Sequence, residues 1–382
     1  MTHKHFPASV DELSVEWLQT QLCRTHTQSN VALERFSVEE ISGGYTASLY
    51  RLQLIYQTPE HVSPKSLVLK VRGPDDTTHT MLDALNTFEN EVRFYQTLGK
   101  HRDIPVPRCY AAEYDKLSSD FVVLLEDMSA ARAGSWDGGA VNDTRIALVH
   151  LANIHAAFWR DPVLDENPWM GAPERMIGDS AIALNWKESH ALAEKQYCDA
   201  LSEVCWSVAR TWSDNWDDIM RCMAQDSQTL VHTDAHLGQM FFPTKELPRF
   251  ALFDWQNPNK GWGAIDVVHP LVCELEVNER REHEKSLMDT YYRHLCELGV
   301  SDLTRERFAF QCALSVLWIY DMNFKVATDP GFLASIKREA DEYGEDWRDW
   351  VFAPIEAVTK DWNLPDAVEQ AIDEGRSRSR AS

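Results

Sequence analysis

The sequence predicts an α+β chain in two lobes: a small lobe built on an antiparallel sheet, then a larger, mainly helical one. Three observations carry this. Strand-like runs crowd into the first 130 residues. A Gly-rich stretch, "ARAGSWDGGA" at 131–140, then breaks the pattern. Beyond it helical periodicity dominates, interrupted by short strand-like pieces such as "TLVHTD" and "RFALFDW". The expected division is 1–128, 129–370 and a disordered tail at 371–382, because "DEGRSRSRAS" has low complexity.

The elements follow in order. "SVDELSVEWLQTQL" opens with Ser9 and carries Glu12 three residues on, the pattern of a capping box. Leu13, Trp17 and Leu18 then fall on one helical face, with Leu22 close by. "VALERFSVEEI" and "YTASLYRLQLIY" flank Gly43-Gly44 and read as an antiparallel hairpin. In the second run Tyr50, Leu52, Leu54 and Tyr56 share one face and Leu49, Arg51, Gln53 and Ile55 the other, as a half-buried strand requires. "SLVLKV", 66–71, is a third strand. "TMLDALNTFENEVRFYQTL" is a helix with Leu85, Phe88, Val92 and Tyr95 on one face. "FVVLLEDM", 121–128, is an apolar buried strand that ends in acids.

Composition narrows the partners. Lys and Arg total 37 and Asp and Glu 60, so the net charge is −23, which disfavours nucleic acid and anionic membrane. No apolar run reaches the length of a membrane span, and "MTHKHFPASVDELSVEW" has no secretory apolar core. The eight cysteines are scattered without a CxxC pair, which points to reduced thiols in the cytoplasm.

The chemistry gathers at "VHTDAHLGQMFF", 231–242. His232, Asp234 and His236 alternate at period two. That pattern suits a catalytic loop, a satisfied polar turn, or a transition-metal site in a hydrolase if the three share a strand face. Phosphoryl transfer from ATP needs more parts. A glycine hairpin must approach the phosphates, a strand lysine must neutralise them, and a helix carboxylate must hold that lysine. A base must take the acceptor proton, and oxygen ligands must hold magnesium. "ISGGYTAS", Lys70, Glu91, Asp234 and Asp254 supply these in sequence order, each on a suitable element. Each has an ordinary reading when alone: a turn, a solvated charge, a cap. Their joint occurrence favours the kinase chemistry over the hydrolase, which leaves Lys70, Glu91 and "LFDWQ" unexplained.

Over roughly residues 35–320 the chain resembles the kinase-like small-molecule phosphotransferases, which include aminoglycoside phosphotransferases and choline kinases. "FENEVRFYQTL", "VPRCYAAEY", "FVVLLEDM", "LANIHAAFW" and DWQ look most like the ecdysteroid kinase-like branch. The resemblance implies a protein-kinase-like fold and a nucleotide-binding first lobe. It implies ATP and Mg2+ as cofactors and transfer of the γ-phosphate to a hydroxyl or similar nucleophile of a small molecule. Asp234 would be the base, with His232 propping its loop. Asp254 and Gln239 would hold magnesium. Lys70, held by Glu91, would meet the α- and β-phosphates. Ser42, Gly43, Gly44, Tyr45 and Ser48 would cover the phosphates. Glu126 to Met128 would meet the adenine edge through their backbone, and Asp266 would brace the catalytic loop. Two positions depart from the family pattern. Its asparagine is Gln239 here, which leaves a catalytically degenerate nucleotide binder as the alternative, and its glycine between His and Asp is Thr233.

The helical lobe would supply the acceptor pocket. Trp206, Trp212 and Trp216 recur at roughly helical spacing and read first as core, second as the wall for an apolar or cationic acceptor. Asp214, Asp217 and Asp218 would draw a cation or form a solvated face. The acceptor is expected to be an apolar or cationic alcohol, and the oligomeric state is left open.

Overall fold

The computed structural model describes residues 6–25, 32–41, 47–58, 63–73, 86–134 and 140–380. The chain divides into two compact units. One comprises Met1–Ala133 with Gln239–Pro258, the other Gly134–Gly238 with Asn259–Ser382.

The first unit begins with a single turn of 3-10 helix, Val10–Glu12, and then helix α1, Val15–Thr25. Ser9 makes no side-chain cap. Ser14 caps instead, its hydroxyl accepting the Trp17 N–H at 3.1 Å. The capping-box reading therefore placed the helix start too early. Glu12 turns back to the Ala8 N–H at 2.9 Å and closes only the short turn.

Five strands form one antiparallel sheet in the order β1-β2-β3-β5-β4. They are β1 (Leu33–Ile41), β2 (Ala47–Tyr56), β3 (Ser66–Arg72), β4 (Cys109–Asp115) and β5 (Asp120–Glu126). Period two sorts the side chains. Leu52, Leu54, Leu67, Leu69, Val71, Val122 and Leu124 face α1, where Leu18 and Leu22 are fully buried. Each such leucine contributes about 2 kcal/mol of hydrophobic burial. The opposite face carries Lys70, paired with Leu49 and Val123, and receives helix α2, Thr87–Gln96. Phe88 of α2 stacks on Phe121 at 4.3 Å, and Val92 and Tyr95 are buried. Leu85, expected on the same helical face, lies outside the described residues.

A small sheet, β6-β8-β9, joins Arg132–Ala133, Met240–Phe242 and Ala251–Leu252. This pairing draws residues 239–258 into the first unit, although the sequence division set them with the helices.

The second unit is mainly helical. Its principal helices are α3 (Ala140–Ala157), α4 (Ser180–Tyr197), α5 (Glu203–Asp214), α6 (Trp216–Met223), α7 (Ala264–Val272), α8 (Val277–Glu297), α9 (Arg305–Thr328), α10 (Pro330–Tyr343), α11 (Ala353–Asp361) and α12 (Leu364–Ser379). Strands β7 (Thr229–Val231) and β10 (Asn259–Gly261) pair antiparallel. Trp206, Trp212 and Trp216 are buried core residues. Trp212 and Trp216 both pack edge-on against Trp186, at 4.6 and 4.7 Å. Through Ser379 the tail is helix rather than disordered chain. Ala371, Ile372 and Gly375 are buried, and a Cβ at Gly375 would meet the Asp218 carbonyl oxygen at 1.9 Å. The absent side chain lets α12 lie directly on α6. Among the described residues no helix is long and apolar enough to cross a membrane. All eight cysteines are free.

Candidate active site

In the first unit, strand β3 presents Lys70 and helix α2 presents Glu91. The Lys70 Nζ lies 2.7 Å from the Glu91 Oε2 and 2.6 Å from the Asp254 Oδ1. Lys70 and Glu91 are both buried. Burial alone would lower the lysine pKa. The carboxylates of Asp254 and Glu91 outweigh it and hold the ammonium above the ordinary lysine value. Burial pushes Glu91 up, while Lys70 and a side-chain hydrogen bond from Gln256 pull it back.

"DWQ" divides its labour. Asp254 has φ +63, a left-handed conformation that aspartate tolerates better than most residues. Trp255 is fully buried and stacks on Phe94 of α2 at 4.1 Å with rings 4° apart. Its indole N–H donates to the Leu252 carbonyl at 3.1 Å. The β8–β9 register pairs Met240 with Leu252, and the Gln239 carbonyl accepts the Phe253 N–H at 3.1 Å. Gln239 thus sits across from the residue preceding Asp254.

A carboxylate and an amide carbonyl on neighbouring strand ends are hard oxygen donors. They fit magnesium, which takes one or two protein oxygens beside phosphates and water. No trio of His, Cys, Asp or Glu among the described residues is placed to hold a metal. The hydrolase arrangement of His232, Asp234 and His236 does not form, because β7 ends at Val231 and Thr233 turns to φ +71.

Other expected residues fall less simply. Ser42, Gly43, Gly44 and Tyr45 lie outside the described residues. Ser48 pairs with Val71, on the sheet face opposite Lys70, so strand alternation separates it from the lysine. The Glu126 N–H donates to the Arg108 carbonyl at 2.8 Å. Met128 is buried, and its carbonyl accepts the Ala131 N–H at 2.8 Å. Two backbone groups of that segment are therefore already engaged.

In the second unit Asp266, on α7, organises the loop after β7. Its carboxylate accepts the His232 N–H at 2.7 Å and the Thr233 N–H at 2.8 Å. His155 Nε2 lies 3.2 Å from the same carboxylate, and its Nδ1 lies 2.8 Å from the Tyr291 hydroxyl. An ionised carboxylate only accepts, so His155 Nε2 donates to it. These bonds hold a β-branched residue at a positive φ, which costs about 1 kcal/mol. The loop then shows Asp234 with its side chain 40% exposed, while His232 is buried.

Behind Asp234 lie residues that sequence reasoning missed. His269 Nε2 is 3.6 Å from the Asp234 Oδ1, and burial pushes that imidazole down to about 4 against the pull of Asp234. Glu274 accepts the Leu237 N–H at 3.3 Å, and burial pushes its carboxyl up to about 8. Both follow Asp266 in "DVVHPLVCEL", His269 one helical turn on and Glu274 just past the end of α7 at Val272, and their nearness in sequence was the available signal.

The model of the ecdysteroid kinase-like family matches residues 42–302. The chain belongs to the ecdysteroid kinase-like family. Among solved structures, a candidate aminoglycoside phosphotransferase from Ralstonia eutropha JMP134 is similar at 18% identity and a TM-score of 0.51, over 94% of this chain and 98% of that one. Choline kinases from Cryptosporidium parvum Iowa II (9% identity, TM-score 0.47, 95% and 97% covered) and Streptococcus pneumoniae (14%, 0.45, 91% and 98%) are also similar. No curated protein matches the chain. This ecdysteroid kinase-like protein thus has the two-lobe α+β fold of the kinase-like phosphotransferases.

Proposed function

We propose that this chain is an ATP-dependent phosphotransferase that moves the γ-phosphate to a hydroxyl of a small molecule. The observation that carries the reading is the buried Lys70 held between Glu91 and Asp254. A lysine so fixed, beside a carboxylate in a left-handed turn, suits a polyphosphate with magnesium better than it suits a structural ion pair. A purely structural pair has no need of the second carboxylate.

The roles follow from chemistry. Lys70 neutralises the α- and β-phosphates. Asp254 and the Gln239 amide oxygen would hold Mg2+, which would supply positive charge against the polyphosphate. Backbone groups near Glu126 and Met128 meet the adenine edge. Asp234 orients the acceptor hydroxyl and takes its proton as the oxygen attacks phosphorus. Asp214 pairs with Lys187, Asp217 accepts the Gly178 N–H, and Asp218 pairs with Arg221 and Arg376. With these acids engaged by the protein itself, an uncharged alcohol suits the chain better than a cationic one.

The competing reading, a nucleotide binder without transfer, rests on Gln239 in place of asparagine. Thermal unfolding with ATP, with and without Mg2+, comes first. Saturation a hundredfold above Kd stabilises by about 2.7 kcal/mol. Phosphate transfer to a panel of alcohols then separates the two. MgATP binding without transfer to any alcohol supports the degenerate binder. No binding of any nucleotide removes both readings.

A further inference from the structure

We infer that His269 is a positioning residue for Asp234, turning an Nε2–H onto the Asp234 Oδ1 so that the other carboxylate oxygen is left to take the acceptor proton. The inference rests on the function proposed above and adds a residue to it. Helix α7, Ala264–Val272, is buried along its whole length and carries only two polar side chains, Asp266 and His269. They lie one turn apart and share a face. Asp266 accepts the N–H groups of His232 and Thr233 in the loop after β7. His269 meets the same loop one residue further on, its Nε2 3.6 Å from the Asp234 Oδ1. The helix is therefore polar at two positions, and both face the loop that carries the base.

His269 is 4% exposed, and neither ring nitrogen has a hydrogen-bond partner among the described residues. A phenyl ring would fill the same space without leaving polar atoms unmet. Burial keeps the imidazole neutral, down to about 4 against the pull of Asp234. A neutral imidazole carries one N–H, and a carboxylate beside Nε2 draws the proton to that nitrogen. At 3.6 Å the two attract as charge and dipole, short of a hydrogen bond. A shift of about half an ångström closes the gap, as catalytic contacts tighten when substrate binds. A neutral donor suits this task. It fixes one oxygen without setting a full positive charge beside the base, which would weaken its hold on a proton.

Two measurements test this. Long-range 1H–15N correlation of histidine-labelled protein reads the tautomer. His269 is one of 14 histidines, and its signal is the one that His269→Gln removes. At about pH 7 the ring should be neutral with its proton on Nε2, and in Asp234→Ala that preference should fade. A wild-type ring protonated on Nδ1 alone, or on both nitrogens, overturns the inference, and this result does not depend on whether His269→Phe folds. The second measurement is phosphate transfer from MgATP to whichever of a panel of primary and secondary alcohols the wild type phosphorylates fastest. His269→Phe keeps a ring and loses the donor. Its kcat should fall about ten- to a hundredfold, the size of a hydrogen bond to a charged group. KM for ATP should stay within about twofold, because the ground-state binding of nucleotide is untouched. His269→Gln keeps an N–H donor at similar reach and should restore most of the loss, a rescue that ring packing alone would not give. Wild-type kcat in folded His269→Phe overturns the inference alone. A wild-type chain that transfers phosphate to no alcohol overturns the function beneath it, and the inference falls with it.

Discussion

Asp266 offers the sharpest test of how the loop carrying Asp234 is held. Its carboxylate is 1% exposed and accepts two backbone N–H groups, at 2.7 and 2.8 Å, with the His155 ring at 3.2 Å. Asp266→Ala leaves these donors unmet, the His232 N–H and the His155 ring fully buried and the Thr233 N–H partly so. Each costs about 1–3 kcal/mol, and because they share one acceptor the total is about 3–5 kcal/mol rather than the full sum. At about 2–4 °C per kcal/mol for a unit of this size, the melting temperature should fall by roughly 10 °C. Asp266→Asn keeps one acceptor but turns an amide N–H toward a backbone donor, so it should lose roughly half as much. The assay is urea unfolding followed by tryptophan fluorescence. All these partners belong to one unit, so if two transitions resolve, only one should move. In both variants ATP binding should survive at temperatures where the protein is folded, while any phosphate transfer is lost. A stability loss below about 1 kcal/mol in Asp266→Ala would refute the reasoning.

Asp234→Ala should abolish transfer and leave MgATP affinity within a few-fold of wild type; retained transfer removes Asp234 from the base role. Lys70→Met strands the buried Glu91 carboxylate and should destabilise the first unit by about 3–5 kcal/mol, measured by urea unfolding; Lys70→Met with Glu91→Gln should recover much of that. Glu274 is pushed up to about 8 from an ordinary 4.5, so the fold favours its protonated form and this stabilisation is lost as pH rises from about 5 to 8. Glu274→Gln, which mimics the protonated acid, should gain a few kcal/mol on wild type across that window; parallel pH–stability curves would show that Glu274 titrates normally. Thr233→Gly relieves a β-branched residue at φ +71 and should stabilise by about 0.5–1 kcal/mol, in contrast to the usual loss on introducing glycine.

What the sequence made legible was what repeats or what pairs locally. The alternation in residues 49–56 placed Leu52 and Leu54 in the core because strand side chains alternate without exception while the ladder is regular. The same rule, applied to Ser48, would have set it apart from Lys70. Gathering residues by motif hid this, since a motif records order along the chain and not sheet face. The strand assumed through His232, Asp234 and His236 failed for a related reason. Nothing in those residue types announces that Thr233 adopts a positive φ. The cause lies 33 residues on, in a buried carboxylate that accepts the N–H of Thr233 and of His232 before it.

Long-range contacts also explain the tail and the small sheet. "DEGRSRSRAS" is polar enough to read as disordered, and its surface residues bear that composition. Its helix begins upstream, where Leu364, Ala367, Val368, Ala371, Ile372 and Gly375 bury one face at helical spacing; most of that signal lies before residue 373 and is lost when the last ten residues are weighed alone. The two-residue β6 lies below any pattern threshold, and "RFALFDW" reads as a strand without showing its partner β8, yet this small sheet carries Gln239 and Asp254 into the same unit as Lys70 and Glu91. The parts proposed to hold phosphate and metal were thus readable one by one. Their assembly depends on contacts far apart in the chain, Lys70 with Asp254 above all, and it is there that substitution should tell a working site from a merely similar fold.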